Sequence, residues 1–396
     1  MTDKTTRYAD LGVDAGKESV RSTFTPLINN DFPGAFVNIV RDECEPGTVF
    51  TQHGDGDGSK GINRLAAYLE TGDSAWLTGA VDDAVAMNMG DIAASGFLWN
   101  TITWTNNLNV GLAPTEGFKQ TLMQAFASRF AELKLVYEEA GFKIKFLGGE
   151  TADLPDQVSG SVFDVTVHAR EPEENIITGN IQPGDVIYGF ASDGQAAWEA
   201  VHNSGIMSNG LTLAGTCLGW SGYSEQYPNL RLKNPFRGRY KVGDTDPLLR
   251  NSTVFEALLS PTRQWPLVIK CLVSELVERN ILHMLHGISM NTGGGATKIG
   301  HVGSGIHYVK DMPPPPPIFK LIQREGEVSW QEMYQAFNCG VGLDVVGADH
   351  NEFDEAVRAV VETTHVKAYP LGIARERKDE ANVVTLKTPF GRFTDY

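Results

Sequence analysis

The sequence predicts a mixed α/β (α+β) protein of more than one domain. Its 396 residues are enough for two or three hydrophobic cores. Short strand-like runs alternate with amphipathic helical segments along the whole chain. A polar stretch from Glu171 to Gly184 interrupts that alternation and divides the chain into residues 1–175 and 176–396.

In the first part, Val37–Val40 and Val49–Thr51 read as short strands. The segment His53-Gly-Asp-Gly-Asp-Gly-Ser-Lys60 has the composition of a loop, and Asn63–Leu69 of a helix. Asp82–Ala94 reads as a helix with an apolar stripe of Val85, Met89 and Ile92. From Gly117 to Ala140, Phe118, Leu122, Phe126, Phe130, Leu133 and Tyr137 recur at three- or four-residue spacing and predict a longer helix. Phe142–Leu147 is a strand candidate ending at Gly148-Gly149, and Ser161–Ala169 alternates as a second. In the second part, Asp185–Ala191 reads as a strand, and Asn203–Arg250 is loop-rich. Ala257–Arg279 is helical with interruptions at Pro261 and Pro266. Pro313–Pro317 predicts an extended polyproline segment. Glu332–Phe337 precedes a strand at Gly342–Val346, and Glu352–Thr364 is an amphipathic helix.

With 49 acidic and 33 basic residues the net charge is −16, which excludes general nucleic-acid binding. Cys44, Cys217, Cys271 and Cys339 form no CxxC pair and read as free thiols. The N-terminus lacks the apolar core of a signal peptide, and no apolar run approaches the roughly 18 residues needed to span a bilayer. The expected setting is cytoplasmic.

Gly56, Gly58 and Gly61 match GxGxxG, a weak signal alone. Asp55 and Asp57 would repel a pyrophosphate, unless a divalent cation lies between protein and phosphate. A calcium loop fails, because its sixth position is Lys60 and its twelfth Ala66. No Walker A sequence is present. Taken alone, the segment reads as a solvated turn. Asn88 and Asp91 are three apart and share a helix face, where capping or solvation is the plain reading. Glu150 follows Gly148-Gly149, either on a ligand-binding loop or at a helix start. Within Thr292–Lys298, Gly293, Gly294 and Gly295 let backbone amides approach phosphate, or form a plain turn. Ser208–Gly210, Ser260–Arg263 and Phe337–Gly342 are ordinary turn chemistry one by one, and Cys339 reads as a buried thiol. The absence of HExxH and GxSxG removes support for zinc and serine hydrolases.

The order of these motifs is more specific than any one of them. Tyr8–Asp14, the loop ending at Lys60, Met87–Asp91, Gly148–Asp153, Gly184–Ile187, Ser208–Gly210, Leu259–Arg263, Thr292–Gly295 and Phe337–Gly340 together resemble aminoimidazole ribonucleotide synthetase, also called phosphoribosylformylglycinamidine cyclo-ligase. The resemblance covers about residues 8 to 375. It implies a two-domain ATP-binding synthetase fold whose N-terminal sheets pair across a homodimer. It also implies ATP- and magnesium-dependent closure of the imidazole ring of formylglycinamidine ribonucleotide, through phosphorylation of the formamide oxygen. By position, it implies Asp55, Asp91 and Glu150 as metal ligands and Lys60, Asp91 and Asn209 as catalytic groups. For nucleotide it implies Asp55, Gly56, Gly58, Ser59, Lys60, Asn88, Gly148, Gly149, Glu150, Thr151, Gly293, Gly294 and Gly295.

The chain departs from the family pattern at His53-Gly54, Asp57 and Ser59, within the loop. Met207 stands where the family often has histidine before Ser-Asn-Gly, with extra residues Gln195–Ile206 upstream, so His202 or water would have to substitute. These departures, and a longer C-terminal half, are similar to a divergent subgroup. Related kinases and synthetases, and a degenerate nucleotide-binding homologue, are the alternatives.

Overall fold

The structure is a computed structural model that describes residues 7–12, 23–111, 115–250 and 252–394. Val13 and Asp14 of the first motif lie outside the described residues.

The chain builds two sheets in succession. The first has five strands in the order β1-β2-β5-β3-β4: β1 Val40–Arg41, β2 Thr48–Gly56, β3 Thr101–Val110, β4 Lys143–Asp153 and β5 Ser161–Pro172. Only the β3–β4 pair is parallel. The second has seven, in the order β12-β11-β8-β10-β6-β9-β7. Its strands are β6 Val186–Ala191, β7 Leu285–Met290, β8 Ile306–Asp311, β9 Val341–Gly347, β10 Ala368–Glu376, β11 Val383–Thr388 and β12 Gly391–Phe393. The polar stretch Glu171–Gly184 falls at the passage between the sheets.

Helices α1 (Lys60–Thr71), α2 (Ala75–Ala93) and α3 (Phe118–Glu139) belong to the first sheet. The three- and four-residue spacing of α3 buries Phe118, Leu122, Phe126, Leu133 and Tyr137. Trp104 of β3 meets Tyr137 edge-on, with ring centroids 5.6 Å apart. Such side chains contribute about 1.5–3 kcal/mol each by burial. Helices α4 (Leu211–Leu218), α5 (Trp265–Glu278), α6 (Pro317–Gly326), α7 (Trp330–Ala336) and α8 (Asn351–Thr364) serve the second sheet, with α5 and α8 packed together.

Helix α2 differs from the expected one-striped helix. It starts at Ala75 and is buried on nearly every side, because it touches β2, β5, α3, α5 and β7 at once. It is the element shared by both sheets. A Cβ on Gly90 would stand 2.4 Å from Met290 Sδ, so glycine there leaves room for the methionine side chain of β7 against α2.

Other expectations need correction. His53–Gly56 is not loop but the end of β2, fully paired with β5, which leaves Asp57–Ser59 as the turn before α1. The strand at Phe142 does not stop at Gly148-Gly149. It bulges between Trp104 and Asn106 of its partner and continues to Asp153, so Glu150 sits within a strand rather than on a loop or at a helix start. Gly149 permits this, since a Cβ there would lie 1.9 Å from the carbonyl oxygen of Asn106. Pro317 begins α6 instead of extending the polyproline run, and Pro266 sits in the first turn of α5, where its missing N–H is harmless.

Candidate active site

The end of β2 and the last turns of α2 form one polar cluster. The Asn88 amide donates to the backbone oxygens of Asp55 (2.9 Å) and Ala84 (2.8 Å). Its Oδ1 then faces His53 Nδ1 at 2.9 Å. His53 Nε2 lies 3.2 Å from Asp91 Oδ2. Asp91 is 8% exposed, and its Oδ1 is buried with no hydrogen-bond partner. Burial opposes a charge on His53, but the bond and attraction to Asp91, backed by Asn88 and Asp55, lift its pKa to about 9. Asn88 and Asp91 therefore share a face as the spacing predicts, and that face looks onto β2.

Lys60 lies elsewhere in chemistry. It is fully buried, and its Nζ donates to Asp83 Oδ1 (3.1 Å), the Met207 carbonyl (2.9 Å) and the Ser260 carbonyl (2.5 Å). An ammonium has three N–H donors, so all are used by the protein. Asp83 also accepts from Arg64 (2.6 Å) and from the amide (2.7 Å) and hydroxyl (2.8 Å) of Thr262. Burial pushes Lys60 down. Burial would raise Asp83, but Lys60 and Arg64 hold it below the usual range. Asp57, buried beside Asp83, is pushed well up, first by burial and then by that charge. The lysine expected at a phosphate here ties α1 to α2 and to the loops at Met207 and Ser260.

The expected metal set of Asp55, Asp91 and Glu150 does not converge within one copy. Asp55 pairs with Val165, Val165 with Asn106, and Asn106 with Gly149, next to Glu150. Three strand spacings of about 4.8 Å put Asp55 and Glu150 about 14 Å apart. One ion cannot take both from one copy. Among the described residues, no three His, Cys, Asp or Glu side chains converge to hold a metal. Gly148, Gly149, Glu150 and Thr151 run along β4, at the edge of the sheet and three strands from β2, which carries Asp55.

The remaining motifs meet in one knot. Ser208 Oγ and Thr262 Oγ1 are 2.9 Å apart. Asn209 faces the glycine loop, with its Oδ1 3.5 Å from where a Cβ on Gly293 would stand, and its Nδ2 is buried without a partner. Gly210, at φ +74°, lies under the ring of Phe337, which a Cβ would meet at 2.1 Å.

The glycine loop is tighter than a plain turn. Gly294, at φ +100°, caps the short 3-10 helix Gly295–His301. Its carbonyl accepts from the amide (3.2 Å) and the hydroxyl (2.7 Å) of Thr297. The Gly295 amide donates to the Thr292 carbonyl (2.8 Å), and the Phe337 carbonyl accepts from Ala296. The expectation that all three glycine amides approach phosphate is therefore corrected. The amide of Gly295 is spent inside the loop, and only those of Gly293 and Gly294 could serve that role.

Arg263 is 2% exposed and binds both Glu199 oxygens (3.0 and 2.9 Å) and the carbonyls of Ala191, Asp193 and Gly194. Met207 is buried, whereas His202 is exposed.

Sequence reasoning passed over Asp83 and Arg64 and noted His53 only as a departure. The available signal was the Asp82-Asp83 pair inside an otherwise apolar helix, since a buried carboxylate demands a partner.

No protein-family model matches the chain. It is 33% identical over 217 residues to the phosphoribosylformylglycinamidine cyclo-ligase of Methanocaldococcus jannaschii, 54% of this chain and 52% of that one. The chain thus spans about half that relative's length. It is 27% identical over 364 residues to the protein of the same name from Methanosarcina acetivorans, 87% and 89% of the two chains. The likeness to proteins of that name thus runs at 27% identity over most of the chain and at 33% over about half of it. The fold is shared with phosphoribosylformylglycinamidine synthase II of Thermotoga maritima, at TM-score 0.53 and 10% identity over 98% of this chain and 50% of that one. It is also shared with AaThiL, solved with AMPPCP and TMP, at TM-score 0.50 and 11% identity over 96% and 95%. Among the described residues no helix is long and apolar enough to cross a membrane.

Proposed function

We propose that this chain is an ATP-dependent cyclo-ligase that closes formylglycinamidine ribonucleotide to aminoimidazole ribonucleotide in purine biosynthesis, in the cytoplasm. The observation that supports this most is the likeness to a cyclo-ligase sustained over 364 residues and both sheets. ATP would phosphorylate the formamide oxygen, the amidine-side nitrogen would attack that carbon, and phosphate would leave.

The buried, unpartnered Oδ1 of Asp91 fits a hard cation such as magnesium, which would neutralise phosphate charge during transfer. Asp91, with Asp55 at the end of β2, would hold it. Asn209 and the Thr292–Gly295 loop, through the amides of Gly293 and Gly294, would line the substrate side. Lys60 would act by fixing α1 against Met207 and Ser260. We further propose a homodimer built on the edge of the first sheet, where Phe146 and Leu147 of β4 are exposed. Glu150 lies on that same edge strand, and pairing there would offer it to the other copy's nucleotide.

The test is a purified-protein assay with formylglycinamidine ribonucleotide, ATP and magnesium. Substrate-dependent ADP release is expected, and its absence would sink the proposal. A second reading, a nucleotide-binding homologue without ring closure or a related ATP-using kinase or synthetase, draws support from Met207, which puts a buried thioether where the family often has an imidazole. ATP binding without ADP release in the same assay would favour it.

A further inference from the structure

We propose that His53 Nε2 and Asp91 Oδ2 jointly ligate one divalent cation, giving this chain a mixed nitrogen–oxygen metal site suited to Mn2+ or Co2+ over Mg2+. The proposal rests on reading Asp91 as the cation ligand, and adds to it a residue that the motif pattern does not include.

The hydrogen bonds fix the direction of the imidazole. Asn88 spends its amide N–H groups on the carbonyls of Asp55 and Ala84, so its oxygen must be what faces His53 at 2.9 Å. Nδ1 therefore carries a hydrogen. In the neutral ring Nε2 then presents a lone pair, and it presents it to the Asp91 carboxylate 3.2 Å away. Beside the Asp91 carboxylate that lone pair is a place for a positive charge. A proton or a divalent cation can fill that place, and binding of the cation releases the proton.

A cation fits by geometry. Two ligands at about 2.1 Å and at right angles around an octahedral ion stand about 3.0 Å apart, close to the separation observed. The other carboxylate oxygen of Asp91 is buried and unpartnered, so the group retains unused ligand capacity. Metal-bound histidines donate their second ring N–H to a carbonyl or carboxylate, as His53 does to Asn88. Two protein ligands are enough when water or phosphate oxygens fill the remaining positions. Imidazole in the set shifts preference from magnesium toward first-row transition cations.

The experiment adds Mn2+ alone to the full-length protein, without nucleotide or substrate, and records pulsed EPR. A directly bound imidazole nitrogen is expected, and it should change isotope signature when the histidines are 15N-labelled. His53→Gln should abolish the nitrogen coupling. Asn88→Leu, which keeps both ligands but removes the orienting acceptor, should weaken Mn2+ binding by about 10–100-fold, the range for lost outer-shell support. Mn2+ binding with no nitrogen coupling, no Mn2+ binding at all, or coupling that survives His53→Gln would each overturn the proposal. Because neither ATP nor ribonucleotide is present, these outcomes are separate from the ADP-release assay that tests the cyclo-ligase reading.

Discussion

The Nζ of Lys60 lies 3.1 Å from Oδ1 of Asp83, and neither side chain reaches solvent. This pair joins the first turn of α1 to the middle of α2, and Met207 and Ser260 complete the lysine's shell from the other half of the chain.

Replacing Lys60 with Met is expected to destabilise the protein by about 3–5 kcal/mol, the scale for removing one partner of a buried ion pair. Urea unfolding measures it. Undiminished stability with lost ATP affinity would instead mean that Lys60 leaves this shell to reach phosphate.

Asp91→Asn keeps the shape of the side chain but removes its charge. Turnover in the cyclo-ligase assay should fall by about 100-fold or more, the loss typical of one strong electrostatic contact in a transition state. The unfolding midpoint should fall at neutral pH, because His53 loses its charged partner, and turnover is compared at a temperature where both proteins are folded. Unchanged turnover would remove Asp91 from the reaction.

Arg263→Met should loosen the segment from Ala191 to Glu199, whose carbonyls and carboxylate it gathers. Hydrogen exchange in that segment should rise, with a stability loss of about 3–5 kcal/mol. Unaltered protection of that segment would contradict the clamp.

His286 Nδ1 lies 2.7 Å from Asp185 Oδ2, and that bond, against some burial, raises the histidine's pKa. A folded pKa above the unfolded value of about 6.5 means that the contribution is fully present below about 6.5. It is lost as pH rises through the higher, folded value. Relative to the wild type, His286→Gln should lose more stability at pH 6 than well above the folded value. Equal losses at both pH values would contradict the pairing.

Leu147→Asp places a charge on the exposed edge strand β4. If two copies pair there, light scattering should report a shift from dimer to monomer. A wild-type monomer at high concentration would overturn the dimer.

Much of the fold was legible where one period governs. The spacing from Phe118 to Tyr137 reads directly as α3, and the alternation of Ser161–Ala169 as most of β5. It failed where glycine sits inside a strand. Gly54, Gly56 and Gly149 look like loop residues by propensity, but each lies in a paired strand, and Gly56 and Gly149 make room for a neighbouring backbone. The cluster of Asn88 and Asp91 was legible from a helical spacing of three. The fate of Lys60 was not, because its acceptors lie 147 and 200 residues away in sequence. Nor was His53, whose partners come from α2 while it sits on β2.

The Thr262 hydroxyl and amide both end on a carboxylate carried by a helix of the opposite sheet. Tyr137 reaches Gln264, and Lys270 reaches the carbonyls of Leu98 and Gly141, across the same seam. Pulling the halves apart would take Thr262 from Asp83, two carbonyls from Lys60 and both carbonyls from Lys270 at once. Neither half is a self-sufficient folding unit, so heating should give a single calorimetric transition with matching van't Hoff and calorimetric enthalpies.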